Sequence, residues 1–219
     1  MQLPSQSTAA AILLVLLSHS AAAQEAPTRD PGAIAPRATP GDYQAQAQAG
    51  PITIAAEFTG HSIATPQTIL STEEYVVVEV GVFGPPAARV RLSHEDFSIR
   101  INGKKMPSPA QPYALVSKNA KDPEWEALNP PEAKKSKGGL SGGGGGQNDA
   151  GPPPVVKIPV ELRRAMEQKV LKASLPEGDR ILPEAGLIYF EHGGKVTNIR
   201  SIELIYDGAA GKATLTLHP

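Results

Sequence analysis

Cysteine is absent from the 219 residues. That excludes disulfide staples, thiolate zinc sites, blue-copper and iron–sulfur ligation, a cysteine nucleophile and a lipidated cysteine anchor. Neither sign of charge dominates: 21 Lys and Arg face 22 Asp and Glu, a net charge of −1. No global field therefore draws the chain to nucleic acid or to anionic lipid. Aromatic residues make up only 5 %, too few to fill a core and also line a sugar-binding cleft. There is no Asn-x-Ser/Thr glycan acceptor. Residues 1–23 contain no Lys, Arg, Asp or Glu.

That uncharged beginning has a pattern of its own. Residues 9–17 (AAAILLVLL) are an unbroken apolar run, well short of the about 20 residues that a bilayer-spanning helix needs. Small residues follow, with Ala21 and Ala23 at the −3 and −1 positions of a cleavage site before Gln24. Residues 1–23 are therefore expected to be a signal peptide cut between Ala23 and Gln24. No other apolar stretch is long enough to span a membrane, so the mature chain is expected to be exported, either periplasmic or secreted. An exported chain without cysteine must be held by its own core. That fits a bacterial envelope or medium better than a disulfide-dense eukaryotic secretion.

Proline and glycine are abundant, at 22 and 21 residues, and they are unevenly spread. In 24–50, Pro27, Pro31, Pro36 and Pro40 recur at short intervals and Ile34 is the only aliphatic residue larger than Ala. A segment with so little to bury is expected to be a disordered leader. Between 129 and 154 lie five Pro and eight Gly, including the unbroken run from Gly142 to Gly146. Residues 130–154 are expected to form a Gly/Pro-rich linker. A phosphate-cradling glycine loop would need a strand before it and a helix directly after it, and neither flank is present.

Strand signals dominate the remainder. In 52–58, Ile52, Ile54, Ala56 and Phe58 alternate with smaller or polar residues, a period of two. In 75–83, Val76, Val78, Val80 and Val82 fill one face while Tyr75, Val77 and Phe83 add apolar bulk to the other, which predicts a central strand. Val90 and Leu92 alternate with Arg89 and Arg91, and Phe97, Ile99 and Ile101 with Ser98 and Arg100. Asn102-Gly103 is a turn signal, since both residues tolerate positive φ. Residues 113–117 predict one more short strand. Later strands are predicted at 187–191, 199–206 and 213–217, with Ile202, Leu204, Tyr206, Ala213, Leu215 and Leu217 inward. Only 160–173 (VELRRAMEQKVLKA) changes to a helical period, bounded by Pro159 and Pro176.

Seven or eight short strands and one helix predict an all-β fold, an immunoglobulin-like antiparallel β-sandwich. Residues 51–117 and 183–219 together approach the typical size of about 100 residues. Residues 51–219 are thus expected to be a single domain with 118–182 as an insertion. Phe58, Val78, Phe97, Phe190, Leu204 and Leu215 are the expected core. The segments EYVVVEVGVF (74–83), DFSIRING (96–103), GLIYFEHGG (186–194) and SIELIYDGAAGKATLTL (201–217) resemble uncharacterised exported bacterial proteins. More distantly they are similar to telokin-like extracellular domains with an immunoglobulin-type sandwich. That resemblance implies a fold and a compartment but carries no catalytic residue.

Ser93, His94, Glu95 and Asp96 place a nucleophile, a base and carboxylates in four consecutive positions. Adjacent residues do not face one another and triads are assembled from distant segments, so the expectation is a polar turn with Asp96 bonding nearby backbone. His61, His94, His192 and His218 are far apart in the chain, and a metal site would need tertiary convergence. No cofactor, metal ligand or catalytic residue is assigned. The helix is basic through Arg163, Arg164, Lys169 and Lys172, and Trp125 is the sole tryptophan. Trp125, Arg163 and Arg164 are the candidate partner contacts. The expected function is a non-enzymatic exported binding module whose partner is a protein or an envelope component. One alternative is an exported hydrolase or carbohydrate-active enzyme using Glu74, Glu79, Asp96, Glu191 or Glu203. The other is a strand-pairing assembly factor or chaperone with the Arg89/Arg91 strand as its open edge.

Overall fold

A computed structural model of the chain describes residues 30–129 and 158–219. The expected signal peptide and its cleavage between Ala23 and Gln24, residues 24–29 of the expected leader and the expected linker at 130–154 lie outside the described residues. The strands, in chain order, are β1 (Ala45–Ala49), β2 (Ile52–Gly60), β3 (Ser62–Ala64), β4 (Ile69–Ser71), β5 (Tyr75–Phe83) and β6 (Arg89–Leu92). They continue as β7 (Phe97–Ile101), β8 (Ser108–Gln111), β9 (Gly178–Ile181), β10 (Glu184–Glu191), β11 (Ile202–Gly208) and β12 (Gly211–Leu217). The helices are few: α1 (Tyr113–Val116), α2 (Pro123–Leu128) and α3 (Val160–Ala173). No helix among the described residues is long and apolar enough to cross a membrane.

The fold is mostly β and is built on one antiparallel sheet of eight strands, in the order β1-β2-β5-β10-β8-β7-β11-β12. The short β8 is its corner. It pairs Ala110 and Gln111 with Phe190 and Tyr189 of β10, then Ser108 and Pro109 with Ile99 and Ser98 of β7. The sheet curls until its two ends meet: the Gln44 amide donates to the His218 carbonyl oxygen at 2.7 Å, and Gly50 packs against Ala210 and Gly211. The result is nearly a barrel.

β5 is central because both of its faces are apolar. Val76, Val78, Val80 and Val82 join Phe97, Phe190, Leu204, Tyr206 and Leu215 in the inner core. β-branched side chains suit this pleated surface, since their restricted rotamers cost little there. All six inward residues expected of the last two strands are buried, as are five of the six expected core residues; Phe58 packs against the core while remaining partly exposed. Asn102 and Gly103 do adopt positive φ, at 54° and 65°.

The opposite face of β5 and β10 carries a second cluster. Tyr75, Val77, Leu187 and Tyr189 are covered by Ile63 and Leu70 of the β3–β4 hairpin, by Val116, and by Met166, Val170 and Ala173 of α3. The helix at 160–173 thus forms as its period predicts, and it lies on the sheet through Met166 and Val170.

Three expectations change. The segment 24–50 is not a disordered leader throughout, because Ala45–Ala49 is a full strand paired with β2 from Ala45↔Ala56 to Ala49↔Ile52. Its inward residues are only methyl groups, and the backbone ladder, together with the small side chains that let β12 approach, holds it in place. Residues 113–117 are helical rather than extended, since packing of Val116 into the outer cluster overrides strand propensity. The Arg89/Arg91 strand is not an open edge on its β9 side: it pairs along its length with β9, from Arg89↔Ile181 to Leu92↔Gly178.

Candidate functional site

The outer cluster ends in a cleft. After α3 the chain turns back onto β10, where Ser174 bridges to Leu187 and the Leu175 amide donates to the Leu187 carbonyl oxygen at 3.0 Å. That approach requires Gly186, because a β-carbon there would collide with the backbone of Leu175. The Ser174 hydroxyl donates to the Val170 carbonyl oxygen at 2.7 Å and lies 3.2 Å from the Tyr189 hydroxyl. Burial pushes the Tyr189 phenol well above its ordinary range, so it stays neutral.

Between this junction, β9 and the start of α1 is a cleft of about 600 Å³, within the usual range for small-molecule sites. Leu175, Ala185, Leu187 and Tyr189 line it and are buried. Its charged groups face one another across the walls. The Lys172 ammonium donates to Asp30 at 3.0 Å and to the Pro31 carbonyl oxygen at 3.2 Å. His94 Nδ1 donates to the Glu177 carboxylate. That bond holds the Glu177 carboxyl below its ordinary range. Arg180 Nε donates to the Glu177 carbonyl oxygen at 2.9 Å.

The residues singled out from sequence sit at different places. Arg163 and Arg164 are exposed on α3, with no side-chain ion pair among the described residues. Arg164 lies one helical turn before Gln168, which lines the cleft. Trp125 is half-buried on α2, whose start is capped by Asp122 accepting from the amides of Glu124 and Trp125. No hydrogen bond or ring contact joins it to either arginine. Ser93, His94 and Asp96 have separate jobs: the Ser93 hydroxyl accepts from the Glu95 amide at 3.2 Å, Asp96 accepts from the Ser93 amide at 3.2 Å, and His94 turns to Glu177.

The strand-borne acids are likewise dispersed. Glu203 pairs with Arg100, Glu74 accepts from Asn119, and Glu191 is exposed. Glu79 lies directly opposite Glu57 across β2 and β5, an arrangement of like charges that costs stability. One guanidinium offsets it. Arg37 donates to Glu79 through Nε at 3.3 Å and Nη2 at 3.2 Å, pairs with Glu57, and stacks 4.5 Å over the Tyr43 ring. Tyr43 can lie flat there because residue 81 is glycine; any side chain would strike the ring.

His61 and His192 do converge. His61 Nδ1 is 2.6 Å from the Tyr75 carbonyl oxygen and Nε2 is 3.0 Å from that of Gly194. Both ring nitrogens of His61 thus face backbone carbonyls and not another side chain. Burial, with Lys104 and His61 nearby, lowers the His192 imidazole from its ordinary value. Among the described residues no three His, Asp or Glu side chains are placed to hold an ion.

The chain matches no protein-family model, no curated protein and no solved structure. Its site is therefore read from its own geometry.

Proposed function

We propose that the protein is an exported, non-enzymatic binding module of the bacterial envelope or extracellular space, and that its ligand seats in the cleft between α3, β9 and β10. The cleft itself carries this reading: it has an apolar floor and typical small-molecule volume, and its acids and bases are already engaged with one another. A group tied into a wall positions and excludes; it is poorly placed to move a proton on a substrate. Export is supported by residues 1–23, and partner selection at the rim by the exposed Arg164 one turn from Gln168. The finer fold reading, an immunoglobulin-like sandwich related to telokin-like exported domains, is supported by the way β1-β2-β5-β10 and β7-β11-β12 flank one inner core, with β8 the strand that pairs with both groups.

The test is to express the full chain, fractionate the cells and analyse the recovered protein by native mass spectrometry. The expected result is protein outside the cytoplasmic membrane, beginning at Gln24, with a small molecule bound. Retention inside the cell with residues 1–23 still attached overturns export, and turnover of a model ester or glycoside by the pure protein overturns the non-enzymatic reading.

A further inference from the structure

We propose that this cleft selects an uncharged small molecule with an apolar body and one or two hydrogen-bonding groups. The inference rests on the binding reading above and names its ligand class.

Charge is the deciding observation. The cleft contains cations, Lys172 and Arg180, and a histidine, which by themselves would suggest an anionic ligand. Each of them has a protein acceptor: Lys172 in Asp30 and Pro31, His94 in Glu177, and Arg180, through Nε alone, in the Glu177 carbonyl oxygen; the carboxylates of Asp30, Glu177 and Glu184 in the same cleft outnumber its two permanent cations. Glu184 is also engaged within the protein. An anionic ligand would have to draw Lys172 away from two oxygens, and a cationic one would have to displace His94 from Glu177. Either exchange returns little, because one charge-assisted contact replaces another. A charged group placed against the buried floor of Leu175, Leu187 and Tyr189 without such an exchange would be desolvated and unpaired.

An uncharged body avoids both costs. The buried floor offers apolar contact, and apolar area removed from water there favours binding. The hydroxyl of Tyr113 and the amide of Gln168 line the same cleft and have no hydrogen-bond partner among the described residues. They supply the donors and acceptors that orient a hydroxyl, amide or ether on the ligand.

Two fluorescent compounds with one skeleton separate the charge question from the binding question. Phenylnaphthylamine is uncharged; anilinonaphthalene sulfonate adds a single negative group. Both are titrated into the mature protein, into Leu171→Arg and into Lys105→Glu, an exposed residue that lines no part of the cleft. Leu171 is 38 % exposed on the cleft wall, so the arginine narrows the cleft and leaves the core untouched. The expected result is binding of the uncharged compound about tenfold tighter than the sulfonate, weakened about tenfold by Leu171→Arg and unchanged by Lys105→Glu. Equal or tighter binding of the sulfonate, still sensitive to Leu171→Arg, overturns the inference about charge while the binding reading stands. Binding of neither compound, or binding insensitive to Leu171→Arg, overturns the cleft as a ligand site. Circular dichroism and melting curves confirm that both variants are folded.

Discussion

The inner core and the outer cluster share β5 and β10 but are enclosed by different things. Inside, alternating valines of β5 meet Phe97, Phe190, Leu204 and Leu215 across a curled sheet, and every wall is another hydrogen-bonded strand. Outside, the same two strands present Tyr75, Val77, Leu187 and Tyr189 to one helix, a short hairpin and the strap of residues 30–43. A strand ladder leaves no gap wider than a side chain. A helix laid on a sheet does leave one, at the helix end, and that is where the cleft lies. The inner face is closed by strands and carries the main core, while the outer face of the same two strands ends in the open cleft where we place binding.

Core substitutions give the largest test of this division. Phe190→Ala, in the inner core, is expected to lower unfolding stability by about 3–5 kcal/mol. Met166→Ala, in the outer cluster, is expected to cost about 2–3 kcal/mol, since α3 can settle toward the sheet and close part of the space. Urea denaturation followed by circular dichroism measures both. A larger loss at Met166 than at Phe190 would break the comparison.

The strap gives a smaller effect. Arg37→Ala leaves Glu57 and Glu79 opposed without a cation and removes the stack on Tyr43, for an expected loss of about 1–2 kcal/mol. Adding Glu57→Gln to that variant should recover part of it, because the repulsion is then gone. Absence of any recovery would show that Arg37 acts through packing alone.

The smallest effect is at the cleft. Glu177 titrates below its ordinary value of 4.5 in the folded protein, chiefly through the bond from His94. Its contribution is complete above that value and is lost as pH falls through the lower folded value. Because the side chain is 55 % exposed, the step is about a few tenths of a kcal/mol. Melting temperatures measured between neutral pH and pH ~3 should show the step in the native protein and lose it in Glu177→Gln.

Much of the frame was readable from residue order. The alternating valines of β5, the helical period of 160–173 and the Asn102-Gly103 turn are local signals, and local packing obeys them. β1 was not read because Ala45, Ala47 and Ala49 alternate with glutamines, and alanine methyls carry little hydrophobic signal even at the right period. The turn at 113–116 was misread because its Tyr and Val favour strands in isolation. The single curled sheet was not foreseen either, since β8 makes its corner with only two residues on each side. Legibility failed most at the cleft. His94 and Glu177 are 83 residues apart, and Lys172 and Asp30 are 142 apart. Only the folded sheet brings such pairs together. Arg164 does not line the cleft; it lies on α3 one turn before Gln168, which does.

Hydrogen exchange with and without saturating phenylnaphthylamine tests the division most directly. Slower exchange is expected in peptides covering 168–181, at the end of α3 and along β9, with β7, β11 and β12 unchanged. Unchanged exchange at 168–181, or slowing spread through β7, β11 and β12, would contradict it.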